Sequence, residues 1–431
     1  MTPFWKTLSL SLLLWGSQWI YIFGACPQGS LIVPATLNKN TTWSSTDTAY
    51  CLPQTVTLSV NAALTIQPGV QVLFDADAPS GKPSLLIKGT VLARGKETQP
   101  IVFKSSRATP KPGDWGHLYW YASAANAQFD EAGKYLSGSI LEFVTLAHGG
   151  GANKASLVAE SAPYLKDVLI QNSLHGAAEL WISTRIVHST FRDNQNPESG
   201  GALAFSASGR TLEPNPTLWI QDSFFSKNQS SKKGGALYAP FGTITLQNSA
   251  FEQNQATENG GALYVEEHLK LAQTLFKQNQ AAAGGAISSL SEPVVIETAT
   301  FSENVATTRG SALDAPAVTL KNSLLYANQG PSVLYLFEGE SVIQRSSFFY
   351  NFPTPTSTSG DAITLEPLSS VSLQISQSNL AGHTGYAIRN DTANRIQAKE
   401  NYWGTSAKEV IGELIWDRVD QSGRGDRKSV V

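Results

Sequence analysis

Cysteine, methionine, histidine and charge are all scarce in this chain. Two cysteines, Cys26 and Cys51, allow at most one intrachain disulfide. The sole methionine is Met1, and the histidines are scattered singles. His148, His175 and His188 have no spacing of a zinc site, so each reads as a turn or surface residue and no metal is expected. Charged residues make up 15% of the sequence, with a net charge of −3 and no block of like sign. That balance argues against a nucleic acid or an anionic membrane held by electrostatics. The only long apolar run lies at the N-terminus. Elsewhere Gly, Asn, Ser, Thr and Gln break the hydrophobic pattern too often for a helical stripe.

What the chain does have is a repeat. Seven times between Phe191 and Asn351 a large apolar residue stands three places before an asparagine. The asparagines are Asn194, Asn228, Asn254, Asn279, Asn304, Asn328 and Asn351, at intervals of 34, 26, 25, 25, 24 and 23 residues. After most of them comes a glycine-led tripeptide and an aliphatic, as in Gly234-Gly235-Ala236-Leu237 and Gly260-Gly261-Ala262-Leu263. A period in this range means a solenoid, a propeller or an array. Short alternating runs such as Thr243-Ile244-Thr245-Leu246 are strands, not helices. About 25 residues at roughly 3.3 Å each give a contour near 80 Å, the length of one three-sided coil. The expected fold is all-β: a single right-handed, three-sided parallel β-helix of about a dozen coils, the handedness taken from the general rule for parallel crossovers.

Within a coil the glycine pair would form a tight corner where neighbours approach closely. The aliphatic and the Phe would stack inside on their copies. The asparagines would tolerate a left-handed bend and bond to the copies above and below, giving a structural ladder. The alternative, that they line a ligand groove, is less economical for a residue present in every coil.

The pairing of Phe-x-x-Asn with Gly-Gly-Ala-Leu or Gly-Gly-Ala-Ile is intact in four units (191–203, 225–237, 251–263 and 276–287). It resembles the repeat of the chlamydial polymorphic outer membrane proteins. That resemblance implies a surface-exposed, adhesin-like β-helix. Those proteins end in a membrane-embedded barrel, whereas Ser422–Val431 is charged and has no alternating apolar strand, so no transmembrane barrel is expected. A second resemblance covers Val56 to Gly116. Its succession of short strands and turns, with Pro68-Gly69 among them, is similar to the opening coils of secreted, pectate-lyase-like right-handed β-helices.

From these readings the chain divides as follows. Residues 1–25 are a signal peptide, with Lys6 ahead of an apolar run from Leu8 to Phe23. Residues 26–55 form an N-terminal cap, 56–405 the β-helix, 406–419 a cap helix, and 420–431 a polar tail. The cap helix follows from the capping-box spacing of Ser406 and Glu409 and the apolar set Val410, Ile411, Leu414 and Ile415. Cys26 stands where export could be followed either by lipidation or by a disulfide to Cys51. A loop at 124–138 is expected to leave the helix body.

Candidate functional residues are few. Trp115, Tyr119, Trp120 and Tyr121 concentrate aromatics, and Trp115, Tyr119 and Tyr121 could stack on a sugar ring if exposed. Strand alternation would instead bury Trp120 and leave only the tyrosines wet. Asp75 and Asp77 are a fragment of a Ca²⁺ loop without its further carboxylates, and read as a solvated turn. Arg424-Gly425-Asp426 in the tail is close to a chance match to an integrin-binding tripeptide. No catalytic constellation stands out, and no cofactor is expected. The expected function is an exported, non-catalytic surface or periplasmic scaffold, released, held through a lipid on Cys26 or bound to another surface component, that binds an extracellular protein or polysaccharide. The alternative is a carbohydrate-active enzyme, a polysaccharide lyase or glycoside hydrolase. Three or more carboxylates with a Lys or Arg in a groove on one strand face would favour that alternative.

Overall fold

The structure, a computed structural model, describes residues 26–205, 213–355, 359–368 and 370–417. The signal segment and the polar tail with its Arg-Gly-Asp lie outside the described residues. The rest is a parallel β-solenoid of about 15 turns, counted on a sheet of 15 strands that takes one from each turn.

One coil serves for all. Thr217–Gln221 is a strand that sends Leu218 and Ile220 inward and leaves Thr217, Trp219 and Gln221 outside. The chain bends at Asp222, runs through Phe224–Ser226, and bends again at Lys227. Gln229–Ser230 is a two-residue strand on a third sheet. The glycine pair then turns the chain into Leu237–Ala239, a member of the 15-stranded sheet. The next coil repeats each step in register: Leu218 beside Ile244, Phe225 beside Phe251, Gln229 beside Gln255, Leu237 beside Leu263. Period-2 strands alternate their faces, so a register kept from coil to coil stacks like on like.

That stacking builds the core. Phe191, Phe225, Phe251, Phe276 and Phe301 form a column of near-parallel rings with centroids 4.8, 4.7, 5.2 and 5.0 Å apart. Leu325 and Phe348 extend it. Each ring is essentially unexposed, and burying one stabilises the coil by about 1.5–3 kcal/mol. The two glycines of the corner have different tasks. Gly234 has φ +65°, a conformation that favours glycine. Gly235 is there for contact: a Cβ on it would lie 2.0 Å from the carbonyl oxygen of Gly261 in the next coil.

The bends differ from expectation. It is not the asparagine that is left-handed but the residue before it: Asp193, Lys227, Gln253, Gln278, Glu303, Ala327 and Tyr350 all have φ between 50° and 57°. The asparagine turns its amide inside, and its outward-facing neighbour takes the strain. A residue five places earlier does the same in each coil, as at Asp222, Asn248 and Gln273. Single left-handed residues of this kind cost about 1–2 kcal/mol each, so the surrounding bonds must fix them.

Both ends also depart from expectation. Residues 26–55 are not a separate cap. Leu31–Ile32 pairs in parallel with Tyr50–Leu52, Thr36–Leu37 with Val56–Leu58, and Thr41–Trp43 with Ala63–Ile66. Strands of two or three residues carry too little alternation to be read from sequence, yet Val33, Leu37 and Trp43 join the core. At the other end the helix is only Lys408–Glu413, with no buried residue. Its N-cap is Ala407, without a side-chain bond, so the Ser406–Glu409 box does not form. Val410 is exposed, and Ile415 instead enters a strand, Ile415–Trp416, beside Ile388–Asn390. A strand edge calls for backbone partners as well as apolar cover, and a returning strand supplies both.

The loop at 124–138 does leave the coil, as a small antiparallel pair of Gln128–Phe129 with Tyr135–Ser137. Phe129 meets Tyr164 edge to face at 5.0 Å, and the Arg185 guanidinium covers the Phe129 ring.

Candidate binding face

The asparagines form an internal ladder. Each is at most 1% exposed. The Asn228 Nδ2 donates to Asn254 Oδ1 (2.9 Å) and to the Phe191 carbonyl (2.9 Å), while the Asn228 backbone N–H donates to the same Asn254 Oδ1 (3.1 Å). The pattern recurs at Asn194, Asn254, Asn279, Asn304 and Asn328, with amide-to-amide distances of 2.9–3.2 Å. Asn351 closes the column against the Leu325 carbonyl. From Asn228 to Asn328 each amide spends both N–H groups and both oxygen lone pairs inside the wall.

A second ladder lies five residues earlier. Ser189 N–H donates to Ser223 Oγ (3.1 Å), Ser223 N–H to Ser249 Oγ (3.2 Å), and Ser323 N–H to Ser346 Oγ (3.3 Å). The sequence carries its signal as Ser-x-Phe-x-x-Asn, with Thr274 and Ala299 as the exceptions, and the search for the Phe–Asn pair passes over it.

With both ladders internal, chemistry must come from outward side chains. The richest set is on the 15-stranded sheet. Its strands are mostly three residues long, so only the central one points out. In register these central residues read Tyr119, Val158, Glu179, Ala204, Tyr238, Tyr264, Ser288, Asp314, Tyr335, Thr364, Arg389 and Trp416. The column is recessed: Tyr264, Ser288 and Asp314 are at most 3% exposed, and Tyr238 and Tyr335 are half-buried.

Three tyrosines on it share one arrangement. Tyr119 Oη donates to Glu160 Oε1 (2.7 Å), Tyr264 Oη to Glu266 Oε1 (3.0 Å), and Tyr335 Oη to Glu366 Oε2 (2.7 Å). A cation covers each ring: Lys154 at 5.8 Å, Lys233 at 4.4 Å and Arg309 at 5.0 Å from the centroid. Burial and the adjoining carboxylate raise the pKa of all three phenols. Arg309 reaches further, with Nε 3.0 Å from Asp314 Oδ1 as an ion pair, and Ser288 Oγ donates to Asp314 Oδ2 (3.3 Å). Burial pushes the Asp314 carboxyl up to about 6, against the pull of Arg309. Two coils on from Asp314, the buried Asp361 accepts a bond from Arg389 Nε of the coil after it (2.7 Å).

The sequence pointed to only one member of this column. Tyr119 lies on it, 9% exposed, with the Tyr121 ring 4.6 Å away and half-buried. Trp115 does not, and its place among stacking residues is corrected. Its ring is unexposed, stacked on Phe74 at 4.2 Å, with Nε1 donating to the Ala147 carbonyl (2.8 Å). Trp120 is buried too. Tyr238, Tyr264, Asp314 and Tyr335 escaped notice because each is the residue just after the repeat's aliphatic, a position that varies from coil to coil. Arg309, Glu266 and Glu366 lie in the corners and have no motif.

The remaining candidates resolve into structure. Cys26 and Cys51 are joined in a disulfide, S–S 2.04 Å, which leaves no thiol at Cys26 for a lipid while it lasts. Asp77 pairs with Arg107, which also binds Asp114 (2.5 Å). Asp75 accepts the Asp77 N–H (3.0 Å), so this turn is closed around a guanidinium. His175 Nδ1 lies 2.6 Å from the Gly150 carbonyl oxygen, and His188 sits between Asp167 and Asp222. Among the described residues no three His, Cys, Asp or Glu side chains gather as a metal set.

A parallel β-solenoid with two internal ladders and one recessed polar-aromatic face is the class these features define. Comparison with known families gives the particulars. Residues 35–156 match the family model for a pectate-lyase-like β-helix domain. Residues 222–240 and 248–266 match that for the Chlamydia polymorphic membrane protein repeat, on two of the four intact units. Repeats of this type suggest a surface- or outer-membrane-associated protein. No curated protein matches the chain, and no solved structure does. Among the described residues no helix is long and apolar enough to cross a membrane.

Proposed function

We propose that the protein is an exported, adhesin-like scaffold that binds a protein or glycan surface along the outward face of its 15-stranded sheet. The observation that carries this reading is the set of three tyrosines on that column, Tyr119, Tyr264 and Tyr335, each tied to a carboxylate and covered by a cation. The set has the composition of an enzyme groove but lacks the convergence of one. Glu160, Glu266 and Glu366 follow strands four coils apart, hence about 19 Å from one to the next at 4.8 Å per strand. Paired glycosidase carboxylates stand roughly 5–9.5 Å apart. Each of these glutamates is also occupied by a phenol. A long face of fixed, half-buried polar groups suits extended contact, as solenoids generally make.

Asp314 favours a second reading, a hydrolase or lyase, because a buried carboxyl titrating near 6 could serve as a proton donor. The test uses the purified full chain. We expect no turnover of a panel of acidic and neutral polysaccharides, with or without Ca²⁺. Adherence to cultured epithelial cells is expected to be saturable and to drop in Arg309→Ala. Turnover that vanishes in Asp314→Asn would establish the enzyme instead.

A further inference from the structure

We infer that the outward column contains a seat at Ala204 for one neutral pyranose residue of an extended glycan. The inference rests on the face being a binding face, and it adds the place and the ligand class. Leu203 and Phe205 point into the core, so the Ala204 methyl is the only side chain that its strand presents outside. Its neighbours in register are Glu179 on one side and Tyr238 on the other. Two strand spacings therefore separate Glu179 from Tyr238, about 10 Å, with a single methyl between them. The hollow belongs to an open groove of about 510 Å³.

Its chemistry is that of a sugar site. Tyr238 is backed by Tyr264, centroids 5.6 Å apart and 21° from parallel, so the opposite face of the Tyr238 ring is turned toward the Ala204 rung. A ring presented in this way takes the apolar face of a pyranose. Among the described residues the rim carries Lys154, Lys232 and Lys233 against Glu179, Glu198 and Glu258, and these charges cancel. Lys232 is further neutralised by its pair with Glu198, and Glu179 accepts the Trp181 Nε1–H (2.8 Å). A polyanion or a polycation gains nothing from such a rim. Hydroxyls that both donate and accept do, through Asn153 and Lys154 among others. The groove takes in three successive rungs of the column, Glu179, Ala204 and Tyr238, which suits a chain more than a monosaccharide.

The experiment is calorimetry on the full chain with cellotetraose and chitotetraose as neutral probes, trigalacturonate as an acidic one and tetra-arginine as a cationic one. The neutral saccharides are expected to bind and the charged probes not to. Ala204→Leu fills the seat from outside and is expected to weaken binding at least tenfold with an unchanged melting temperature; Tyr238→Ala is expected to weaken it similarly. No binding of either neutral saccharide, preference for a charged probe, or unchanged affinity in Ala204→Leu would each overturn the seat. Cell adherence that survives Ala204→Leu but falls in Arg309→Ala would overturn the seat alone and leave the binding face standing. Adherence untouched by both would overturn the two together.

Discussion

Replacing Asn279 by alanine tests the ladder where it is most regular. The Asn279 amide makes four bonds. Its Oδ1 accepts the Asn254 backbone N–H (3.0 Å) and Asn254 Nδ2 (3.0 Å), and its Nδ2 donates to the Phe251 carbonyl (2.8 Å) and to Asn304 Oδ1 (3.0 Å). Alanine removes all four, but not with equal consequence. Asn254 Nδ2 keeps the Phe225 carbonyl, and Asn304 Oδ1 keeps the Asn279 backbone N–H. The Asn254 N–H is left buried without a partner. That orphan costs about 1–3 kcal/mol and the three other bonds about 0.5–1.5 kcal/mol each, together roughly 3–7 kcal/mol. A solenoid unfolds in parts, so a global midpoint understates a local loss. Amide hydrogen exchange followed residue by residue is the suitable assay. The Asn254 amide should lose the most protection, with smaller losses at Gln253 and Gln280 and none beyond two coils. Uniform loss along the chain, or an Asn254 amide as protected as before, would refute the accounting.

Other expectations can be checked on the same protein. Phe276→Ala, between rings at 5.2 and 5.0 Å, should cost about 3–5 kcal/mol in denaturant titration, whereas the half-exposed Lys277→Ala should stay close to the parent. Equal shifts would contradict the stacked core. The raised pKa of Asp314 means that the folded state holds the proton more tightly than the unfolded chain. Its contribution is full below 3.8 and is lost as pH rises to about 6, a swing of about 3 kcal/mol. Stability measured across that window should flatten in Asp314→Asn; an unchanged slope would assign it to other groups. Cys51→Ser opens a loop of 25 residues and should lower the stability of the first coils by about 3–4 kcal/mol, read as faster exchange near Leu31 and Tyr50. Gly235→Ala sets a Cβ 2.0 Å from the Gly261 carbonyl oxygen and should yield little soluble protein, while Gly81→Ala, with open space around it, should cost only the backbone strain of its φ of +99°, about 1–3 kcal/mol.

The solenoid was legible because its causes are periodic. Phe276 and Asn279 recur at the same offset in coil after coil, and a period near 25 residues with strand-like alternation admits few folds. The ends were not legible for the opposite reason. Thr36–Leu37 and Ile415–Trp416 are two-residue strands, too short to alternate, and their place is set by the coil they close. The left-handed bends were assigned to Asn because Asn tolerates them. What decided the matter was the need to keep the amide inside, which no propensity expresses. The outward column of the 15-stranded sheet was the hardest to see. Tyr264, Ser288, Asp314 and Tyr335 are neighbours only through register across sequence gaps of 24, 26 and 21 residues. Nothing about any one of them distinguishes it from a solvated strand residue.

The asparagine ladder has a direction, and the direction has a consequence for how such a wall comes apart. Every rung from Asn194 to Asn328 takes the acceptor for its buried backbone N–H from the following coil. Stripping coils from the N-terminal side therefore bares the Oδ1 lone pairs and one Nδ2–H of the next rung, side-chain atoms that water reaches readily, and leaves its backbone N–H paired. Stripping them from the C-terminal side bares an N–H that was built to be met from above. The two fronts are unequal, like the two directions of a zip fastener. Breathing should run inward from the C-terminal side of the ladder, and a coil should be complete only when its successor has arrived.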